Sequence, residues 1–257
     1  MGSALSLQQT RTGPYYPCAA DIFELREFFL HYLPLELIDT ILDCAEYWPC
    51  VHAERALDVV ARAKRGRHPH AAPNAEYVYL VTKRIPPEAK VVQKVVYNIT
   101  SHDQGWGGEE RDRGTHGGSW TWFEAANIRA PEDAEPWWVD AAEHRFPVDL
   151  DVPDHAEEDA AASLKAEVRS PNPETPDKSR WTITTNLTAV GSYTTHTLTW
   201  TREDSDDSDD LTEHQKLGAK FVRLLDVGDR VALIARARYP GWANHIRSAT
   251  IDVYFSV

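Results

Sequence analysis

Hydrophobic positions recur at helical spacing near the start of the chain and at alternate positions through most of the rest. Asp21 to Tyr32 places Ile22, Leu25, Phe28 and Phe29 on one stripe. Pro34 then opens a second run to Trp48, in which Leu37, Ile38, Ile41, Leu42 and Ala45 line up. A third helix is expected from Val51 to Lys64, with Ala56, Val59, Val60 and Ala63 in register, before Arg65-Gly66-Arg67-His68-Pro69-His70 breaks it. After Pro73 the period becomes two. Strands are expected at 76–82, 91–101, 119–126, 180–188, 193–201, 219–225, 230–237 and 248–257. The last is the cleanest: Ala249, Ile251, Val253, Phe255 and Val257 alternate with Thr250, Asp252, Tyr254 and Ser256, as when one face packs on a core and the other meets water. The pattern predicts a mainly β chain, an antiparallel β-sandwich that is jelly-roll-like, with a small helical N-terminal region.

The expected organisation is a loose lead-in over 1–17, a helical region over 18–72 and the sandwich over 73–257. Two segments interrupt the strands. Residues 131–179 are rich in Pro, Asp, Glu and Ala and carry the apolar group Pro136-Trp137-Trp138-Val139, which predicts a long surface excursion pinned by its indoles. Residues 202–213 hold Glu203, Asp204, Asp206, Asp207, Asp209, Asp210 and Glu213, and lack the glycine and spacing of a calcium loop, so a solvated acidic loop is expected.

Length and composition fit this outline. The 257 residues suffice for one large β domain with a helical appendage, and nine Trp with ten Tyr supply a generous aromatic core. A net charge of −13 repels a phosphate backbone, which argues against nucleic acid as a partner. The basic residues Arg62, Lys64, Arg65, Arg67, Lys83, Arg84, Lys90 and Lys94 precede the acidic second half and read as a solvated face. No run approaches the ~20 apolar residues needed to span a bilayer, and the first residues lack a basic segment followed by an apolar one. No membrane partner is expected, and the location expected is the cytoplasm, or the nucleus, rather than the secretory route. Gly2 and Ser6 fit a loose myristoylation pattern with no second membrane signal beside it. Asn98-Ile99-Thr100 and Asn186-Leu187-Thr188 match glycosylation acceptors but read as strand residues. Cys18, Cys44 and Cys50 are odd in number and form no CxxC pair, so neither a disulfide framework nor a zinc finger is indicated.

Candidate chemistry gathers in two turns. Ser101-His102-Asp103-Gln104-Gly105-Trp106-Gly107-Gly108, with Gly114-Thr115-His116-Gly117-Gly118-Ser119-Trp120-Thr121-Trp122-Phe123 after it, packs imidazole, carboxylate, amide and indole groups among glycines. Tyr239-Pro240-Gly241-Trp242-Ala243-Asn244-His245 forms the second, between the last two strands. Trp106, Trp120, Trp122 and Trp242 offer flat apolar platforms, and Asp103, Gln104, Asn244 and His245 directional hydrogen bonds, a set suited to a sugar or small planar ligand. One of Trp120 and Trp122, which share a face, is expected to point into the core. The competing reading is an isomerase, cyclase or lyase that moves protons with His102 or Asp103 in an aromatic pocket. Strand alternation separates those two neighbours, and Asp103 more naturally caps the following turn. A metal reading would combine His102, Asp103 and His116 with His196 or His245, but no tight ligand spacing supports it, and neither a metal nor a cofactor is called for.

Leu33-Pro34-Leu35-Glu36-Leu37-Ile38-Asp39-Thr40-Ile41-Leu42 resembles the opening of an F-box. That likeness implies an adaptor helix entering a ubiquitin-ligase scaffold, hence a protein partner for the N-terminus; the chain departs from the F-box at Glu46-Tyr47-Trp48-Pro49. Ser101-His102-Asp103-Gln104-Gly105-Trp106, Gly118 to Phe123, Thr195 to Trp200, and Gly228 to Leu233 through Pro240-Gly241-Trp242 together resemble a family of largely uncharacterised fungal proteins, a likeness that carries no activity across. In layout the chain is similar to the jelly rolls attached to F-boxes and to phloem-lectin-like domains, which implies binding of glycans or proteins.

Overall fold

The structure is a computed structural model that describes residues 16–63, 74–129, 180–204 and 213–257. The lead-in up to residue 15, basic Lys64, Arg65 and Arg67, the 131–179 excursion with its Trp137-Trp138 anchor, and the centre of the acidic loop lie outside the described residues.

Two helices open the described chain, α1 (Ala19–Phe29) and α2 (Leu35–Cys44). The strands are β1 (Cys50–Arg62), β2 (Asn74–Val81), β3 (Val91–His102), β4 (Thr121–Ile128), β5 (Trp181–Thr185), β6 (Thr194–Thr201), β7 (Arg230–Arg238) and β8 (Ala243–Ser256), with helix α3 (Glu213–Leu224) between β6 and β7. They form two antiparallel sheets ordered β1-β8-β3-β6 and β2-β7-β4-β5. The pairs β1/β8, β2/β7, β3/β6 and β4/β5 nest as one long hairpin rolled on itself, the winding of a jelly roll. Sandwich and jelly-roll expectations therefore hold.

Two elements differ from the sequence reading. Residues 50–62 form a strand, not a third helix, and it pairs with β8 from Cys50–Tyr254 to Arg62–Ala243. The first sheet therefore starts inside the region read as helical. β1 is an edge strand whose side chains are mostly exposed, with only Arg55 and Ala61 buried, so little of its sequence is held to the alternation that packing normally imposes. Conversely, 219–224 is helix, with Leu225 just past its end. Leu217, Phe221, Val222 and Leu225 are buried at helical spacing, and the local run Phe221-Val222 within it mimics a strand.

The core lies between the sheets. β3 contributes Val95, Tyr97, Ile99 and Ser101, and β8 contributes Ala249, Ile251, Val253 and Phe255, all buried. A bulge at Arg247 shifts the phase of β8, so Ile246 and Asn244 point inward and His245 outward. α3 packs against β5 and β6, the edge strands on one open side of the sandwich. There Phe221 meets Trp181 at 5.0 Å and Trp200 at 5.4 Å between ring centroids. On the opposite side buried Arg55 of β1 reaches across to β2, donating to the Tyr79 carbonyl at 2.6 Å with its guanidinium 5.1 Å from the Tyr79 ring. The connections β3–β4, β5–β6 and β7–β8 all cross between sheets at one pole, and the helical N-terminus enters β1 at the other.

Candidate functional site

The pole built by these crossing connections contains both turns singled out by the sequence. They meet. The Ala243 N–H donates to Gln104 Oε1 at 3.3 Å, and Gln104 Nε2 donates to the Trp106 carbonyl, so one amide side chain holds the corner to the start of β8. Gly241, at φ 97°, lies against the Trp106 indole; a Cβ there would stand 3.1 Å from Trp106 Cη2, so both the backbone angle and the close approach require glycine. Ala63, at the end of β1, donates to the Trp242 carbonyl at 3.1 Å and ties a third element to the turn.

Beneath the surface the pole is closed by buried polar groups. Asp103 is fully buried; its carboxylate accepts the Gly105 N–H at 2.7 Å and the Ala189 N–H at 2.6 Å, and the Val190 amide also donates to it. Burial pushes this carboxyl above the ordinary range, while those amides and His102 pull it back. Asp103 thus latches the β3–β4 corner to the β5–β6 loop, and its capping role is the one the structure realises. Ser101 donates to Asn186 Oδ1 at 2.7 Å, and Asn186 donates to Thr121 Oγ1 at 3.0 Å and Asn244 Oδ1 at 2.9 Å. Asn244 in turn donates to the carbonyls of Trp122 at 3.1 Å and Arg236 at 3.3 Å. Asn244 and Asp103 are therefore turned into the protein and spent on its own backbone and side chains. Burial and pairing take both away from the surface set of ligand contacts.

His102 and Asp103 do not form a dyad. His102 Nδ1 donates to the Asp103 carbonyl, and its ring stacks on His245 at 4.5 Å and 9°, with Tyr193 edge-on at 4.5 Å. These rings occupy the outer face of the first sheet, and the Arg247 guanidinium lies 3.8 Å from the Tyr193 ring centre. Burial, then His102, then Arg62 hold His245 below the ordinary imidazole range. His116 pairs instead with His196, ring centroids 5.6 Å apart. The structure sorts these histidines two and two, and among the described residues no three donors converge on a metal position. Among the described residues, a His–Asp hydrogen bond joins His52 Nδ1 to Asp252 at 2.6 Å, across β1 and β8 toward the other pole. Cys50 beside it is pushed far up by burial and by Asp252, which keeps the thiol protonated.

The indoles divide. Neither Trp120 nor Trp122 enters the core; Thr121 and Phe123 do. Trp122 lies on the outer face of the second sheet, its Nε1 donating to Glu124 at 2.7 Å and its ring 5.6 Å from the Arg236 guanidinium. Trp242 is half-buried beneath Gly107. Trp106 is 63% exposed and Trp120 39%, the latter edge-to-face with Tyr239, itself 39% exposed, at 4.7 Å and 84°. Tyr239 holds φ 68°, a left-handed conformation that costs a non-glycine residue about 1–3 kcal/mol and aims its ring at Trp120. Arg238 lies 5.8 Å from the Trp120 ring and 5.2 Å from Tyr239. Arg238 was absent from the sequence-derived set, and Tyr239 stood in the second turn without an assigned ligand contact. Their signal was the outward alternation of Arg236 and Arg238 at the end of β7, ahead of the Tyr-Pro-Gly turn.

A depression beside the pole, lined by His102, Val190, Ser192, Thr194 and His196, spans about 120 Å³ including open solvent, well below the roughly 300–1,000 Å³ of small-molecule pockets. Among the described residues, Trp106, Trp120 and Tyr239 face water rather than line that depression. Among the described residues no helix is long and apolar enough to cross a membrane. Comparison with protein families, with curated proteins and with solved structures returns no match for this chain.

Proposed function

We propose that this chain is a recognition protein whose jelly roll binds a glycan through the pole carrying Trp106, Trp120, Tyr239 and Trp242. The observation that carries this reading is the exposed Trp120–Tyr239 ring pair beside the more exposed Trp106. Aromatic rings left in water on rigid turns, one held at a strained backbone angle, serve a partner better than they serve the fold. Sugars present apolar C–H faces that stack on such rings, and an open platform admits part of a longer chain where an enclosed pocket would not. The helical N-terminus, at the far pole, is the protein-facing end. Its exposed Phe23, Phe28, Leu30, Tyr32, Leu37 and Ile41 support that role, consistent with the F-box-like adaptor that its sequence suggests.

The test is calorimetric titration of the strongest ligand found on a glycan array. Trp120→Ala and Trp106→Ala should each weaken binding about tenfold or more, equivalent to about 1.4 kcal/mol, without lowering the melting temperature. Trp122→Ala, which removes a ring committed to Glu124 and Arg236, should leave affinity close to that of the parent. Full affinity in both Trp120→Ala and Trp106→Ala would refute the proposal.

A further inference from the structure

The outer face of the second sheet carries a ladder of charge that stops one rung short of the aromatic pole. Arg180 bonds to Glu76 at 2.6 Å and lies 3.6 Å from Glu124; Arg236 bonds to Glu76 and lies 3.4 Å from Glu124. Two cations and two carboxylates therefore balance. Burial alone would raise the Glu76 carboxyl, but Arg180 and Arg236 outweigh it and hold it below the usual range.

Two residues further along β7, Arg238 leaves from the same face. Its register partner on β2 is Asn74 where Arg236 had Glu76, and its backbone N–H donates to the Trp120 carbonyl at 2.9 Å. The side chain is exposed, with the rings of Trp120 and Tyr239 as neighbours, and among the described residues no carboxylate pairs with it. In a protein of net charge −13 a cation set among aromatic rings and apart from the carboxylates beside it is a placement, not an average. A guanidinium lying against rings keeps its in-plane N–H fork for an oxyanion, and that fork matches a carboxylate in two parallel bonds. Trp120 offers, a few ångströms away, a face for the ring that would bear such a carboxylate.

We infer that the aromatic pole selects an acidic sugar, Arg238 binding the carboxylate while Trp120 and Tyr239 take the sugar ring. This rests on the glycan reading above and adds the class of glycan. The test prints sialylated and uronate-terminated glycans beside their methyl esters, which keep the ring and lose the charge, together with neutral glycans. The parent protein should bind carboxylated members at least tenfold better than their esters, and this preference should weaken as salt is raised. Arg238→Gln should abolish the preference while melting at the parent temperature, and Arg238→Lys should keep part of it. Equal binding of acids and esters, or a preference that survives Arg238→Gln, overturns the inference. If neutral and esterified glycans bind as well as acids and Trp120→Ala removes them all, the glycan reading stands and only the acidic selectivity falls. Absence of binding to any printed glycan defeats both.

Discussion

Asp103 shows how one carboxylate can organise a whole end of this protein. It sits at the exit of β3 and accepts amide hydrogens from Gly105 nearby and from Ala189 and Val190 across the pole. Asp103→Ala would strand those donors in a buried site, at an expected cost of about 2–3 kcal/mol, read as a lower midpoint in denaturant; Asp103→Asn, which keeps one acceptor oxygen, should lose less. The histidines make a different prediction. Burial followed by His102 and Arg62 lowers His245, and burial followed by His116 lowers His196, so the unfolded chain binds their protons more readily than the folded one. Stability should then be complete above the ordinary histidine value of about 6.5 and decline as pH falls toward the depressed folded values. Melting curves between neutral and mildly acid pH should show that slope, and His245→Gln together with His196→Gln should flatten it. At this scale the sequence displayed the residue types but not their partners. Asp103 read correctly as a turn cap, whereas the amides of Ala189 and Val190 lie more than eighty positions away and leave no local trace.

At the level of elements, the least regular contact is the most informative. α3 docks through Gly218, where a Cβ would fall 2.2 Å from Trp200 Cδ1. Trp200 is itself buried against Tyr97 and Phe221 and has little room to retreat. Gly218→Ala would recover about 1 kcal/mol of helix propensity against about 1–3 kcal/mol or more of overpacking. The variant should be less stable, and near-ultraviolet circular dichroism should report the disturbed Trp200 environment. Strands with one wet face, such as β3 and β8, were legible because burial imposes alternation on them. β1 was not, because an edge strand with few buried side chains is free to carry residues that favour helix. α3 was not, because Phe221-Val222 and Leu224-Leu225 look extended until the surface they cover is known.

Across the whole molecule, the exposed aromatic turns and the helical N-terminus lie at opposite poles. β1 alone spans 13 residues, roughly 40 Å at strand rise, and separates the helices at its start from the aromatic turns beyond its end. The helices are anchored by Ile22, Ile38 and Leu42 in the core and by the pairing of Glu46 with Lys94, yet leave an apolar surface in water. Because Phe28 and Leu37 are exposed, replacing both by serine should leave the melting temperature and the proposed glycan binding at the other pole unchanged. Loss of glycan binding in that variant would show that the poles are not independent.

The sequence by itself determined the class of this fold. Alternation along the central strands, the glycine-rich corner and the Pro-Gly-Trp turn specified an antiparallel sandwich, because burial of one strand face and positive backbone angles are local demands that local residues must meet. Tertiary structure decided which members of the candidate set remain available. His102 stacks on His245, Asp103 and Asn244 turn inward to satisfy buried amides and carbonyls, and Trp122 is taken up by Glu124 and Arg236. Trp106, Trp120, Tyr239 and Arg238 stay in contact with water. That sorting depends on which strand lies beside which and on where a bulge shifts the phase of β8, and pairing between distant strands is a property of the packed molecule.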